Sequence, residues 1–345
     1  MMMRREFTNL ILIMLFLSFP LPAASASIEQ LSEGMIKLIK GISEQRHSTG
    51  MLKRFNQAKS LGCFNADFEV LADSPDNLHH GLFAKPGTYK AMVRFASASQ
   101  VDDREKDLRG MSIKVLDVEG ETIMGDAGVQ DFLLNSYPAL FVSTPEDFYT
   151  FIKSVHEDKI WKFFVNPFDP HLKSLWILLK ARKNHSSPFD IRYWSTTPSR
   201  LGLDGKQIVK YSTTPCSTSS SDLPDKLHSN YLQNSMHSHL KRESVCFDFQ
   251  VQLQTDEDEM SVEDSSVIWD EDKSPFIKLA RLTIRDQPFK APDALVACEK
   301  STFNPWQSLV EHKPVGRMNL VRKNVYAVIS EFRTDSNTTR ASWTE

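Results

Sequence analysis

Long apolar runs are nearly absent from the 345 residues. The one clear case, Leu10 to Phe19, is about ten residues long and ends at Pro20, short of the ~20 that a bilayer span needs. Arg4 and Arg5 precede it, and Ala24 and Ala26 follow as an A-x-A pair. Residues 1–26 therefore read as a secretory signal peptide cleaved near Ala26. The expectation is a secreted or periplasmic protein with no transmembrane anchor after cleavage. Cysteine is scarce as well. Cys63, Cys216, Cys246 and Cys298 form no C-x-x-C pair, which argues against a zinc site or a redox dithiol. An oxidising compartment permits disulfides, but four cysteines allow three pairings and their spacing does not choose among them. Charge of one sign is not in excess: 41 basic and 44 acidic residues give a net −3, so nothing draws the chain to nucleic acid. No internal repeat is visible, and the length suits one large domain or two ordinary ones.

Secondary structure is legible from periodicity. The stretch "IEQLSEGMIKLIKGI" has helical spacing and predicts an N-terminal amphipathic helix within an arm over residues 27–57. Strand candidates follow near residue 70, from Tyr89, from Arg109 and from Val129. In the second, Met92, Arg94 and Ala96 share one face, and Val93 and Phe95 the other. Thr144 as N-cap, Pro145 at the first position and Glu146 and Asp147 in the first turn announce a helix. Leu172, Leu175, Trp176 and Leu179 predict another. "KQIVKYS" and "PFIKLARLTI" read as strands, as does "SVCFDFQVQLQ", with Val245, Phe247, Phe249, Val251 and Leu253 on one side. Residues 216–240 are Ser-rich and read as a loop. The acidic run 255–272 lacks the glycine and ligand spacing of a calcium loop and reads as a solvated connection. About six strands with helices between and after them imply an α+β fold, with a closed antiparallel barrel as the natural solution.

The segment "YWSTTPSRLG" places Tyr193 and Arg200 seven residues apart. If the segment is helical, phenol and guanidinium lie two turns apart on one face. Pro198 opposes a regular helix there.

Five stretches in order, "GLFAKPGTYKAMVRFASAS", "DLRGMSIKV", "QDFLLNSYP", "MSVEDSSVIWDEDKSPF" and "FNPWQSLVEHKPVGRMNLVRKNVYAVI", resemble the catalase-like heme proteins, specifically their small bacterial catalase-related branch. The resemblance runs from about Lys59 to Arg333. It implies an eight-stranded antiparallel β-barrel with inserted and C-terminal helices over 58–335, a short tail over 336–345, and heme as cofactor. It also implies Tyr193 as the axial iron ligand, with Arg200 favouring its phenolate, and Arg94 pairing with a heme propionate. Hydrogen peroxide or an organic hydroperoxide is the implied substrate, and an oligomer is compatible with the resemblance.

The pattern breaks at the group that should move protons. Gln57 stands where the resemblance places a distal histidine, and Ala96 where it places that histidine's supporting serine. The distal asparagine aligns with Ser136, or with Asn135 after a one-residue shift. Glutamine can hydrogen-bond a bound oxygen but cannot act as a base near neutral pH. His79, His80, His237 and His239 read as surface histidines. The sequence thus implies a heme-dependent catalase- or peroxidase-type oxidoreductase of low activity. Two alternatives stand beside it: an organic hydroperoxide isomerase of the allene oxide synthase-like type, and a non-catalytic heme-binding or partner-binding barrel.

Overall fold

The computed structural model describes residues 26–217 and 222–341; the expected signal peptide lies outside them but for Ala26. Among the described residues, nine strands form one antiparallel sheet: β1 Lys59–Val70, β2 Gly87–Ser97, β3 Arg109–Val115, β4 Gln130–Asn135, β5 Tyr193–Trp194, β6 Ser199–Leu201, β7 Gln207–Pro215, β8 Val245–Leu253 and β9 Ile277–Ile284. Pairing runs β5-β4-β3-β2-β1-β9-β8-β7, and the β5–β7 pair closes the ring, so eight strands make the expected barrel. β6 extends the β5 edge along β7.

Alternation fills the barrel. Val93 and Phe95 of β2, Met111 and Ile113 of β3, and Val245, Phe247, Phe249 and Val251 of β8 all point into one buried cluster. Aromatic rings dominate it, with Phe132 4.7 Å from Phe249 and 5.0 Å from Tyr211. Each such ring contributes about 1.5–3 kcal/mol by leaving water. A polar group is seated among them. The Leu82 N–H donates to His312 Nε2 at 3.0 Å, so Nδ1 carries the proton and donates to the Tyr211 hydroxyl at 3.1 Å. Burial, reinforced by His80, holds this imidazole down at about 3.

Among the described residues, seven α-helices lie around the barrel: α1 Ile28–Arg46, α2 Pro145–His156, α3 Ile160–Val165, α4 Leu172–Ala181, α5 Tyr231–Leu240, α6 Pro292–Lys300 and α7 Arg317–Ala341. Ser27 and Gln30 form a capping box that starts α1, and Thr144 and Asp147 form one that starts α2. Leu31, Met35, Ile39 and Ile42 of α1 pack on Ile152 of α2 and Val321 of α7. The N-terminal arm is therefore docked on the C-terminal helix. That helix runs on to Ala341, through most of the segment expected as a tail. A second correction concerns residues 216–240. Serine content hid the helical spacing of Tyr231, Leu232, Met236 and Leu240, the four buried positions of α5.

The three open cysteine pairings resolve into Cys63–Cys298, which ties β1 to α6, and Cys216–Cys246, which links the ends of β7 and β8. The first closes a separation of 235 residues and the second one of 30. Chain-entropy arguments give the longer loop the larger effect. Cys63→Ser should lower unfolding stability in urea by roughly 2–5 kcal/mol, and by more than Cys216→Ser does.

His312 sets an acid sensitivity. Its folded pKa lies below its unfolded value, so the unfolded chain binds a proton that the native one refuses. Stability is fully present above about pH 6.5 and falls as pH drops toward 3, by at most about 1.4 kcal/mol per pH unit. Urea melts of His312→Gln across that window should show a shallower slope than those of the unaltered protein.

Candidate functional site

The strand faces that fill the barrel leave their alternate residues on its outer wall. The register of β2, β3 and β4 aligns them in rows: Ala96, Gly110 and Asn135 in one, Arg94, Ser112 and Leu133 in the next. The first row continues to Trp194, whose indole Nε1 is buried without a partner. Chain leaving α1 crosses this wall and lays Gln57 on it. The Gln57 N–H donates to the Ala98 carbonyl at 3.0 Å, and its own carbonyl accepts from Arg94 Nη2 at 2.9 Å. Its side-chain Nε2 donates to Asn135 Oδ1 at 3.0 Å. A Cβ at position 110 would meet the Gln57 amide, so glycine lets that amide lie close against the wall. Gln57 adopts φ 58°, a left-handed conformation that costs a non-glycine residue about 1–2 kcal/mol. Its Oε1 is buried and accepts no hydrogen bond.

Below this amide pair lies a charge imbalance. Arg94 is 2% exposed and its Nε has no partner. Burial first, then repulsion from Arg54 and Arg333, pulls its guanidinium down to about 9, against the opposing pull of Glu299. Arg54 donates to Glu299 Oε2 at 2.9 Å and to the Ser301 carbonyl at 2.6 Å. Burial and Arg333 bring it down to about 10. Arg333, on α7, donates to the Glu299 carbonyl at 2.7 Å. Three guanidinium groups thus face a single carboxylate. Uncompensated buried charge is costly, and guanidinium donors match carboxylates in a bidentate fork. The arrangement suits a ligand that carries carboxylates.

Tyr193 and Arg200 do not come together as the sequence suggested. Their segment is extended, with Tyr193 in β5, Pro198 in the turn and Arg200 in β6. Tyr193 pairs with Thr213 and Arg200 with Ile208, five positions apart on β7 and so roughly 16 Å along it. Proline cannot continue the helix that would have joined them. The Tyr193 ring lies in the barrel core, fully buried, and its hydroxyl donates to the Pro188 carbonyl at 2.8 Å. Burial pushes this phenol far up, and the guanidinium acting on it is that of Arg109. Arg200 instead donates to the Val310 carbonyl at 2.6 and 2.8 Å. As placed, Tyr193 does not fit an iron ligand.

The same two-turn spacing is realised on α7, which is helical throughout. Tyr326 and Arg333 are seven residues apart, about 10 Å along the axis on one face. Arg322, one turn earlier, lies 5.3 Å from the Tyr326 ring centre and is held by Thr197 Oγ1 at 2.6 Å. The Tyr326 ring lines a cavity of about 380 Å³ with Gly125, Asp126, Phe303, Asn304 and Ser330. That volume falls within the ~300–1,000 Å³ of small-molecule sites. Sequence reasoning missed Tyr326, Arg333 and Arg54. The signal for the first two was phenol and guanidinium at helical spacing in a proline-free run, and for Arg54 its position three residues before Gln57.

The other expected residues separate clearly. Asn135 meets Gln57, while Ser136 accepts from the Arg109 N–H at 2.9 Å and serves the sheet. His79 bonds Ser74, His239 faces Glu243 and His237 lies beside the Phe289 ring, so none of these takes the place of a base next to Gln57. The His80 ring lies against Gly202, at β6. Among the described residues no group of three His, Cys, Asp or Glu side chains converges as a metal site.

No protein-family model matches the chain, and no curated protein matches it. Its fold is that of catalases. A fungal catalase aligns at TM-score 0.67 and 16% identity over 86% of this chain and 62% of its own. Catalase A from Saccharomyces cerevisiae aligns at 0.64 and 15%, again over 86% and 62%. A bacterial catalase aligns at 0.64 and 14% over 88% and 61%. The chain spans less than two thirds of the length of these catalases.

Among the described residues, Glu299 is the carboxylate that acts on all three guanidiniums. Glu299→Gln should lower urea stability by roughly 1–3 kcal/mol, less than a fully buried pair would lose because Glu299 keeps 29% of its side chain in water. Added pyrophosphate should recover part of the loss.

Proposed function

We infer that the chain binds heme on the outer wall of β2–β4 and breaks down hydroperoxides slowly. The observation that carries this reading is the cluster of Arg54, Arg94 and Arg333 around one carboxylate, with Arg94 Nε and Gln57 Oε1 buried and unpartnered. These guanidiniums would hold the two propionates by charge-assisted hydrogen bonds. Tyr326 is the phenol that would bind the iron, and the positive charge of Arg322 over its ring favours the anion that ligation needs. When bound, heme supplies the redox chemistry that cleaves an O–O bond. The chain's own part is to orient the peroxide. Gln57 and Asn135 offer amide donors and acceptors to it, and neither can carry a proton from one oxygen to the other.

The catalase fold of the chain supports the reading at the level of fold and substrate class. Two disulfides and no free cysteine among the described residues support an oxidising location. So does the α1 capping box at Ser27, directly after the proposed cleavage point. N-terminal sequencing of exported protein should begin at or near Ser27.

Purified protein titrated with hemin should develop a Soret band. Tyr326→Phe should shift or abolish it, whereas Tyr193→Phe should keep it and lose about 1 kcal/mol of stability with the Pro188 hydrogen bond. The opposite result would return the ligand to the barrel core and overturn this assignment. Peroxide turnover should be low and should rise ~10²–10⁴-fold in Gln57→His with Ala96→Ser, because Ala96 and Gly110 are register partners beneath Gln57. Consumption of a fatty-acid hydroperoxide without oxygen release would select the isomerase alternative.

A further inference from the structure

Half of the large apolar side chains exposed among the described residues fall in one short stretch, 160–179. Trp161, Phe168, Leu172, Trp176 and Leu179 are 55–95% exposed. The stretch is a helical hairpin of α3 and α4. Its inner side is fixed, since Phe163 and Phe164 pack with Val142 and Met318, and His171 stacks on Phe163 at 4.1 Å while its Nδ1 meets the Phe163 carbonyl at 2.9 Å. Leu175 and Leu178 pack on the same cluster. Leu172, Trp176 and Leu179, at i, i+4 and i+7, form a second apolar stripe of α4 that faces water. A helix apolar on both sides is ordinarily buried on both.

The tip is equally rigid. Pro167 and Pro170 flank Phe168, whose N–H donates to Asn166 Oδ1 at 3.1 Å, and the Asp169 N–H donates to the Asn166 carbonyl at 3.2 Å. Phe168 is therefore held out in solvent by its turn.

Charge identifies the occupant. Residues 159–183 contain six basic side chains and one acidic, in a chain of net charge −3. Lys180 Nζ sits 3.7 Å above the Trp176 ring and Lys162 Nζ 5.8 Å from that of Trp161, so cations border the aromatic residues directly. Self-association through this face would set six positive charges against six. An anionic lipid surface instead matches both features, with Trp at headgroup depth and Lys toward phosphates. No described helix is long and apolar enough to cross a membrane, so the hairpin would lie on one.

We propose that the α3–α4 hairpin is a docking site for anionic phospholipid membranes, with Phe168 and the two tryptophans inserted into the interface and the flanking lysines bound to headgroups. It stands apart from the heme reading and is tested without it. The full chain should sediment with phosphatidylcholine vesicles containing phosphatidylglycerol, and not with phosphatidylcholine alone. Binding should shift tryptophan emission to the blue and weaken with added salt. Lys162→Gln with Lys180→Gln should weaken it about fivefold per lysine, and Phe168→Ser about 10–100-fold. Far-UV dichroism checks that each variant folds, and the lysine pair reads alone should Phe168→Ser not fold. Absence of binding to anionic vesicles at low salt overturns the proposal, as does binding that neither variant changes. A dimer in analytical ultracentrifugation that Phe168→Ser dissociates would assign the face to a second copy instead.

Discussion

Closure of the sheet through the short β4–β5–β7 pairing constrains everything built outside it. A closed barrel of this size is filled by its own side chains, so each strand must send alternate residues inward, and the register is fixed wherever a large ring occupies the core. Phe95 and Phe132 fix it for β2 and β4. Once they point inward, Arg94, Asn135 and Gly110 have no choice of face. The candidate site is in this sense the reverse side of the core.

The cost of that placement explains the site's unusual electrostatics. Arg94 is nearly inaccessible on an outer wall crossed by the chain leading out of α1. A guanidinium there must share Glu299 with Arg54 and Arg333 and take carbonyl oxygens for the rest. Packed hydrophobic residues would stabilise such a wall better. Retaining three cations makes physical sense when something anionic completes them, and the unpartnered Nε of Arg94 marks the direction from which it would come. The left-handed backbone of Gln57 belongs to the same account, because strain of this kind persists only where surrounding bonds over-determine it.

How much of this was legible in the sequence depended on which periodicity governed each residue. The barrel strands announced themselves because period-2 alternation in "YKAMVRFAS" and "SVCFDFQVQLQ" reports directly on the closed sheet. Arg94 came from the resemblance, and alternation gave only the face it shares with Ala96. Asn135 was left undecided against Ser136, since a one-residue shift reverses a strand face and only the observed pairing with Gly110 settles it. Tyr193 came from the resemblance, and the helical period that set it beside Arg200 fails because Pro198 and the β7 register make the segment extended. Arg54 had only its position three residues before Gln57 to signal it. It lies in irregular chain after α1, where no repeat predicts direction, and it reaches Glu299 across 245 positions of sequence.

The two halves of the site place different demands on a reaction. Carboxylate-binding arginines act on the ground state and transition state alike, so they confer affinity without rate. Rate at an O–O bond needs a group whose protonation changes within the working pH range, and the contact between Gln57 and Asn135 supplies amides only. An amide pair can nonetheless impose orientation, because each has both donors and acceptors and their mutual hydrogen bond fixes which atoms face outward. Gln57 Nε2 gives one of its two N–H groups to Asn135, and its buried Oε1 is an acceptor without a partner, which suits a donor such as the O–H of a hydroperoxide. On the proposed reading, Gln57 and Asn135 would hold a protonated peroxide at the wall without deprotonating it, because neither amide is a base near neutral pH.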